Sequence, residues 1–141
     1  MEQNETIFTK IIRREIPAEI VYEDAAVIAF LDINPNNPGH TLVVPKLWSN
    51  NVLDIGSDSW GAVMHVVHTL APRIQKAVGA DGINLMMNNE PAAGQIVPHT
   101  HVHIIPRFEG DGYEHWAGHA YAEGHAKEVA NKIRAQLIEL L

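Results

Sequence analysis

Apolar positions along the chain recur with two periods. Ile7, Ile11 and Ile12 share one face of a short helix for which Thr6 is the N-cap and which Pro17 closes. Two β-rich runs, Ile20–Glu23 and Val27–Leu31, flank Asp24-Ala25-Ala26 and predict a hairpin. Asn34-Pro35-Asn36-Asn37-Pro38-Gly39 is a turn signal, and residues 41–44 form a third strand stopped by Pro45. From residue 58 to about 78, Trp60, Val63, Met64, Val67, Leu70, Ala71, Ile74 and Val78 return at helical steps. Pro72 predicts a kink or break inside that helix, because proline removes a backbone donor. Gly79 and Gly82 end it, and a second hairpin pairs 83–88 with about 99–105. Ala126, Val129, Ala130, Ile133, Leu137 and Leu140 give a C-terminal helix over about 119–140. The expectation is an α+β fold: an antiparallel five-stranded sheet with a long central helix and a C-terminal helix.

Composition narrows the function. At 141 residues and 46% hydrophobic content the chain suits one domain over 1–141, and no repeat or linker suggests a second. Ten Lys+Arg against 17 Asp+Glu give a net charge of −7, which lacks the basic excess a nucleic-acid polymer requires. There is no cysteine, so disulfides, thiolate metal sites and thiol nucleophiles are excluded, as fits a cytoplasmic protein. Charged residues interrupt residues 1–14, which leaves no signal-peptide core. No run approaches the roughly 20 apolar residues of a membrane span. Nine histidines, by contrast, point toward site chemistry.

Three of them are spaced alike. Read as a strand, His99-Thr100-His101-Val102-His103-Ile104-Ile105 turns three imidazoles, about 7 Å apart, to one face and Thr100, Val102 and Ile104 to the core. Three imidazoles in a row make no sense as packing, since every ring nitrogen needs a partner. Two readings remain: zinc ligands, needing further donors from elsewhere, or a central imidazole attacking phosphorus while its neighbours stabilise charge. The loop before the triplet favours the second. Gly94-Gln95-Ile96-Val97 allows close backbone approach at glycine and offers successive N–H groups as an anion cradle. His65, His68, His115, His119 and His125 show no such pattern and are assigned to the surface.

The run from Ala93 through Gly94-Gln95-Ile96-Val97-Pro98 to His99-Thr100-His101-Val102-His103-Ile104-Ile105-Pro106-Arg107 resembles the signature of the histidine triad family, His-x-His-x-His followed by two apolar residues. Ile7-Phe8-Thr9-Lys10-Ile11-Ile12, Ala29-Phe30-Leu31-Asp32-Ile33-Asn34-Pro35 and Pro38-Gly39-His40-Thr41-Leu42-Val43-Val44-Pro45-Lys46 are similar to that family's N-terminal half in order and spacing. The motif-bearing part spans about 6–107.

The resemblance implies a hydrolase that cleaves the bond between a purine nucleoside monophosphate and its leaving group through a covalent nucleotidyl-histidine. A phosphoramidase is the first expectation. A dinucleoside polyphosphate hydrolase, or a nucleotide-binding interaction protein with little catalysis, is the alternative. His101 matches the nucleophile, His103 the residue that bonds a phosphate oxygen, His99 a supporting position and His40 a further histidine near the triad. Asp32 matches the carboxylate on the ribose hydroxyls, and Asn88, Gly94, Gln95, Ile96 and Val97 match the phosphate site. Phe8, Ile11 and Ile33, with Ile7, Ile16, Phe30 and Leu42, match the walls of the base pocket.

The resemblance further implies a homodimer and a reaction with no catalytic cofactor, while the charge and the lack of a long apolar run are what weigh against a polymer partner and a membrane. Many relatives carry a structural zinc on two cysteines and a histidine where this chain has Thr6, Thr9 and Trp48, so no structural zinc is expected. Ile96 stands where relatives often have Ser or Thr, which leaves only its N–H for the phosphate or leaving group.

Overall fold

In a computed structural model that describes residues 4–140, the chain divides into two compact units, one ending at Asp111 and one beginning at Gly112. The first carries the short helix α1 (Ile7–Ile12), strands β1 (Ile20–Glu23), β2 (Val27–Leu31) and β3 (Thr41–Pro45), and the long helix α2 (Ser57–Val78). Strands β4 (Gly82–Met86) and β5 (Val102–Arg107) complete it, with a single 3-10 turn at Pro91–Ala93 between them. The second unit carries α3 (His125–Leu137), which ends in a 3-10 turn and buries no residue. No helix among the described residues is long and apolar enough to cross a membrane.

The five strands form one antiparallel sheet in the order β1-β2-β3-β5-β4, so the expected α+β architecture is observed. Its central strands are buried on both faces, which explains why Val27–Leu31 and Thr41–Pro45 read as continuous apolar runs rather than as alternation. On one face Val27, Ala29, Val43, Val102 and Ile104 meet Val63, Val66, Val67 and Leu70 of α2. On the other, Ile28, Phe30, Leu42 and Val44 meet Phe8 and Ile11 of α1. The site lies on this second face, because the register sets Phe30 opposite Leu42 and Leu42 opposite His103.

Thr6 caps α1 as expected, accepting from the N–H groups of Phe8 and Thr9, but the helix buries Phe8 and Ile11 and leaves Ile7 45% exposed. Helix α2 continues through Pro72, where a kink or a break was expected, without a break. Pro72 lies on the exposed face, while Leu70 and Ile74 on either side hold the helix against the sheet.

The largest departure is in β5, which begins at Val102 rather than near His99. Pro98 offers no N–H, the His99 N–H turns back to the Val97 carbonyl at 2.9 Å, and the Thr100 N–H goes to the Ser49 carbonyl at 2.9 Å. Only the last of the three histidines therefore sits in a strand. Strand β4 likewise stops at Met86, short of Asn88.

Candidate active site

Four imidazoles, those of His40, His99, His101 and His103, come together on the α1 face. His101 and His103 stack edge-on with ring centroids 5.0 Å apart, and His40 lies 5.1 Å from His103. His99, rather than sharing an open face with the other two, is wholly buried. The other five histidines are exposed, as assigned.

Backbone groups fix which nitrogen of each ring carries the hydrogen. His101 Nδ1 is 2.6 Å from the carbonyl oxygen of His99, an acceptor only, so Nδ1 donates and Nε2 keeps its lone pair. His99 Nε2 meets the Pro45 carbonyl at 2.9 Å and donates to it, so its Nδ1 accepts the Thr6 hydroxyl at 3.0 Å. His40 Nδ1 accepts the Asn36 N–H at 3.1 Å, which places the hydrogen on Nε2, where it points at His103 Nδ1 2.8 Å away. His103 must therefore accept through Nδ1 and carry its own hydrogen on Nε2. The result is one lone pair on His101 beside one N–H donor on His103.

Burial keeps these rings neutral. It pushes His103 down to about 4, with the nearby His101 and His40 adding to the effect and Asp32 opposing it. Burial also lowers His101, against the opposing pull of the His99 carbonyl and Asp32. His99 and His40 are lowered for the same first reason.

The turn that carries His40 is fixed from several sides. Gly39 has φ +94°, and a Cβ there would lie 3.0 Å from Val78 and 3.1 Å from Pro106, so only glycine fits. Asn37 donates to the Pro106 carbonyl and to Asp111, both at 2.8 Å, and Arg107 grips the same carboxylate at 2.9 and 2.6 Å. That pairing with Arg107, aided by the Phe108 N–H, holds the Asp111 carboxyl well below the usual carboxylate range.

Asp32 follows β2 directly and accepts the Asn34 N–H at 2.8 Å; its other oxygen lies 3.8 Å from His40 Nε2. It also borders an apolar cavity of about 100 Å³. Ile7, Phe8, Ile11, Ile16, Phe30, Ile33 and Leu42, the residues expected to wall a base pocket, all line it. Phe8 ties that cavity to the histidines, standing edge-on to His101 with centroids 5.0 Å apart.

The loop 88–97 approaches from the other side. Gly94 has φ +86° and sits near Asn88, whose Nδ2 reaches the Gly94 carbonyl at 3.5 Å. No backbone hydrogen bond engages the N–H of Ile96 or of Val97 within the described residues, so both are available to an anion. Val97 packs on the α1-side core, whereas Ile96 is 91% exposed. Gln95 differs from expectation in its side chain, which is wholly engaged. Its Oε1 accepts from Asn51 at 2.9 Å and the Glu90 N–H at 2.7 Å, and its Nε2 donates to the Asn50 and Val97 carbonyls at 2.8 and 3.0 Å. Gln95 holds the loop through its side chain. Asn51, 1% exposed, is a member of this clamp that no sequence pattern announced.

Asp32, His40 and His103 bring three potential metal-ligand atoms within 4.8 Å of one another. An ion on His40 Nε2 would push that ring's hydrogen onto Nδ1, against the Asn36 N–H, so the set fits a hydrogen-bonded relay better than a metal centre. At the position of the zinc that the family resemblance raised, the Thr6 and Thr9 hydroxyls bond to each other at 3.1 Å and the Trp48 indole donates to the Pro98 carbonyl at 2.9 Å. Hydroxyls and an indole N–H do not fit a structural zinc site.

Comparison with known proteins agrees with the geometry. The family model described as the HIT domain matches residues 13–110. An uncharacterised HIT-like protein of Methanocaldococcus jannaschii is 51% identical over 106 residues, 75% of this chain and 81% of that one. The purine nucleoside phosphoramidase of Escherichia coli is 43% identical over 103 residues, 72% of this chain and 86% of that one. A crystal structure of a HIT family member from Bacillus subtilis superposes with a TM-score of 0.87 at 39% identity, covering 94% of this chain and 97% of the other. The chain belongs to the HIT family, the histidine triad proteins.

Proposed function

We propose that the protein is a nucleotide-binding hydrolase that cleaves a purine nucleoside monophosphate from its leaving group, with a phosphoramidate as substrate. The observation that carries this reading is the pair of fixed tautomers: a lone pair on His101 Nε2 beside an N–H on His103 Nε2. The likeness to a protein named purine nucleoside phosphoramidase supports the choice of substrate.

In this reading the base fills the apolar cavity and Asp32, an acceptor only, takes the ribose hydroxyls. Asn88 and the N–H groups of Ile96 and Val97 hold the phosphate. His101 Nε2 attacks the α-phosphorus, and the P–N bond breaks with its electron pair leaving on nitrogen, which takes a proton from solvent water. His103 Nε2–H stabilises the charge on a phosphoryl oxygen. Water then attacks the same phosphorus, the P–Nε2 bond breaks, and His101 is regenerated with the nucleoside monophosphate. Ile96 has no hydroxyl to protonate the leaving group, so the scheme favours leaving groups that depart without help from that position.

A fluorogenic adenosine phosphoramidate tests the proposal. Wild type turns it over, and His101→Ala falls by at least about 10³-fold, the scale of losing a nucleophile. Equal turnover by the two proteins overturns it. The exposed Ile96 favours a second reading, a nucleotide-binding interaction protein; calorimetric binding of adenosine monophosphate without turnover of phosphoramidate or dinucleoside polyphosphate selects that one. The protein acts in the cytoplasm on this reading, and its protein partner is a second copy of itself, joined along the unpaired edge of β4, where Leu85 and Met86 are 56% and 40% exposed.

A further inference from the structure

The Thr6 hydroxyl stands where the base cavity and the nucleophile meet. It is 8% exposed, it accepts the N–H groups of Phe8 at 3.2 Å and Thr9 at 3.3 Å, and it is 3.0 Å from His99 Nδ1. Its single hydrogen has a determined destination. His99 gives its own hydrogen to the Pro45 carbonyl, so Nδ1 is a buried lone pair that Thr6 alone satisfies among the described residues. The carbonyl of this same His99 accepts His101 Nδ1–H at 2.6 Å and thereby keeps the lone pair on His101 Nε2. Phe8, two residues beyond Thr6, closes the loop by packing edge-on against His99 and His101, at centroid distances of 5.9 and 5.0 Å.

We infer that Thr6 is a positioning residue for catalysis: its hydroxyl locks α1 to His99 and, through His99, fixes the direction in which His101 presents its lone pair. The inference rests on the hydrolase reading for its kinetic consequence, though not for the geometry. Without the hydroxyl, His99 keeps its bond to Pro45 but loses the one tying it to α1, and a buried nitrogen is left unpaired. His99 then shifts or rotates, its carbonyl moves with it, and His101 is no longer held to one tautomer. Misplacing a nucleophile by about an ångström costs up to about 10²-fold in rate.

Thr9 supplies the control. It completes the capping box, taking the Thr6 N–H on its hydroxyl at 2.7 Å and meeting the Thr6 hydroxyl at 3.1 Å, and among the described residues it makes no hydrogen bond to His99. Thr6→Val and Thr9→Ala each weaken the cap of α1, while only the first removes the bond to His99. Thr6→Gly retains most of the capping and loses the donor, so it serves if Thr6→Val does not fold.

The test compares kcat and KM on the phosphoramidate for wild type, Thr6→Val, Thr6→Gly, Thr6→Ser and Thr9→Ala, together with ¹⁵N imidazole spectra of the full chain. Thr6→Val and Thr6→Gly lower kcat about tenfold or more with KM changed less, Thr6→Ser restores it, and Thr9→Ala keeps wild-type kcat despite a lower thermal midpoint. In the spectra wild-type His101 is protonated at Nδ1 alone, and in Thr6→Val its two nitrogens move toward a common shift. Wild-type kcat in both Thr6→Val and Thr6→Gly, or an equal kcat loss in Thr9→Ala, overturns the inference. A wild type that turns over nothing overturns the hydrolase reading instead, and the spectra then decide the role of Thr6: unchanged His101 nitrogens in Thr6→Val reject it.

Discussion

One backbone amide, that of Asn36, sets the direction of a hydrogen-bonded line through two histidines. By occupying His40 Nδ1 it forces the hydrogen onto Nε2 and makes His103 an acceptor on one side and a donor on the other. A pH prediction follows. In the unfolded chain these histidines titrate near 6.5, whereas His103 falls to about 4 in the fold and His40, His99 and His101 are also lowered. Above 6.5 both states are neutral and the rings cost nothing. As pH falls from 6.5 toward 4 the unfolded chain takes up protons that the folded one refuses, so stability declines across that window. Denaturant midpoints at pH 7.5, 6.0 and 5.0 decrease in that order, and His103→Asn flattens the trend; a midpoint independent of pH between 7.5 and 5.0 contradicts it.

Two turn residues make opposite predictions at the same scale. Gly39→Ala puts a Cβ into Val78 and Pro106 at a positive φ, and costs about 2 kcal/mol or more in chemical denaturation. Glu90 has φ 76° and ψ 155°, a conformation that suits glycine alone, and Glu90→Gly should raise stability by about 1 kcal/mol. The strain is held by Gln95, whose Oε1 pins the Glu90 N–H at the start of the loop that precedes the triad.

Among the elements, α2 shows how packing overrides propensity. Pro72 removes one backbone bond from a helix of 22 residues, yet Val63, Val66, Val67 and Leu70 bury enough surface against the sheet to carry it through. Pro72→Ala, on the exposed face, is expected to raise the thermal midpoint, by up to about 3 kcal/mol in stability. An unchanged or lower midpoint would mean that proline is accommodated without loss. The same contest explains what the sequence disclosed. The strands, both hairpins and the Thr6 cap were legible because β-rich apolar runs, turn residues and capping chemistry are local signals. That Phe8, Ile11 and Ile33 would share one apolar pocket was also legible, through the family resemblance, and all three line the cavity. The start of β5 was not. It depends on where the Thr100 N–H finds an acceptor, and that acceptor is Ser49, 51 residues away in sequence. For the same reason no pattern revealed that the Gln95 side chain would be consumed by Asn50 and Asn51, or that His99 would turn inward to Thr6 and Pro45.

At the scale of the whole molecule the sheet leaves β4 as an edge, with its ladder open on one side. Pairing that edge with a second copy predicts a solution mass near twice the 15.6 kDa of one chain by light scattering, and Leu85→Lys should shift it toward the monomer. A monomeric wild type at micromolar concentration would remove the proposed partner. The second face of the sheet has a different consequence. Phe8, Ile11, Phe30 and Leu42 are at once the core beneath α1 and the lining of the cavity beside Asp32. Whatever apolar ring enters that cavity adds a missing piece to a hydrophobic interior, so occupancy and folding are thermodynamically linked and a ligand should raise the melting temperature. On the proposed reading, a side-chain change that alters which base the cavity takes also alters the core beneath α1, whereas a side-chain change at the exposed Ile96 does not.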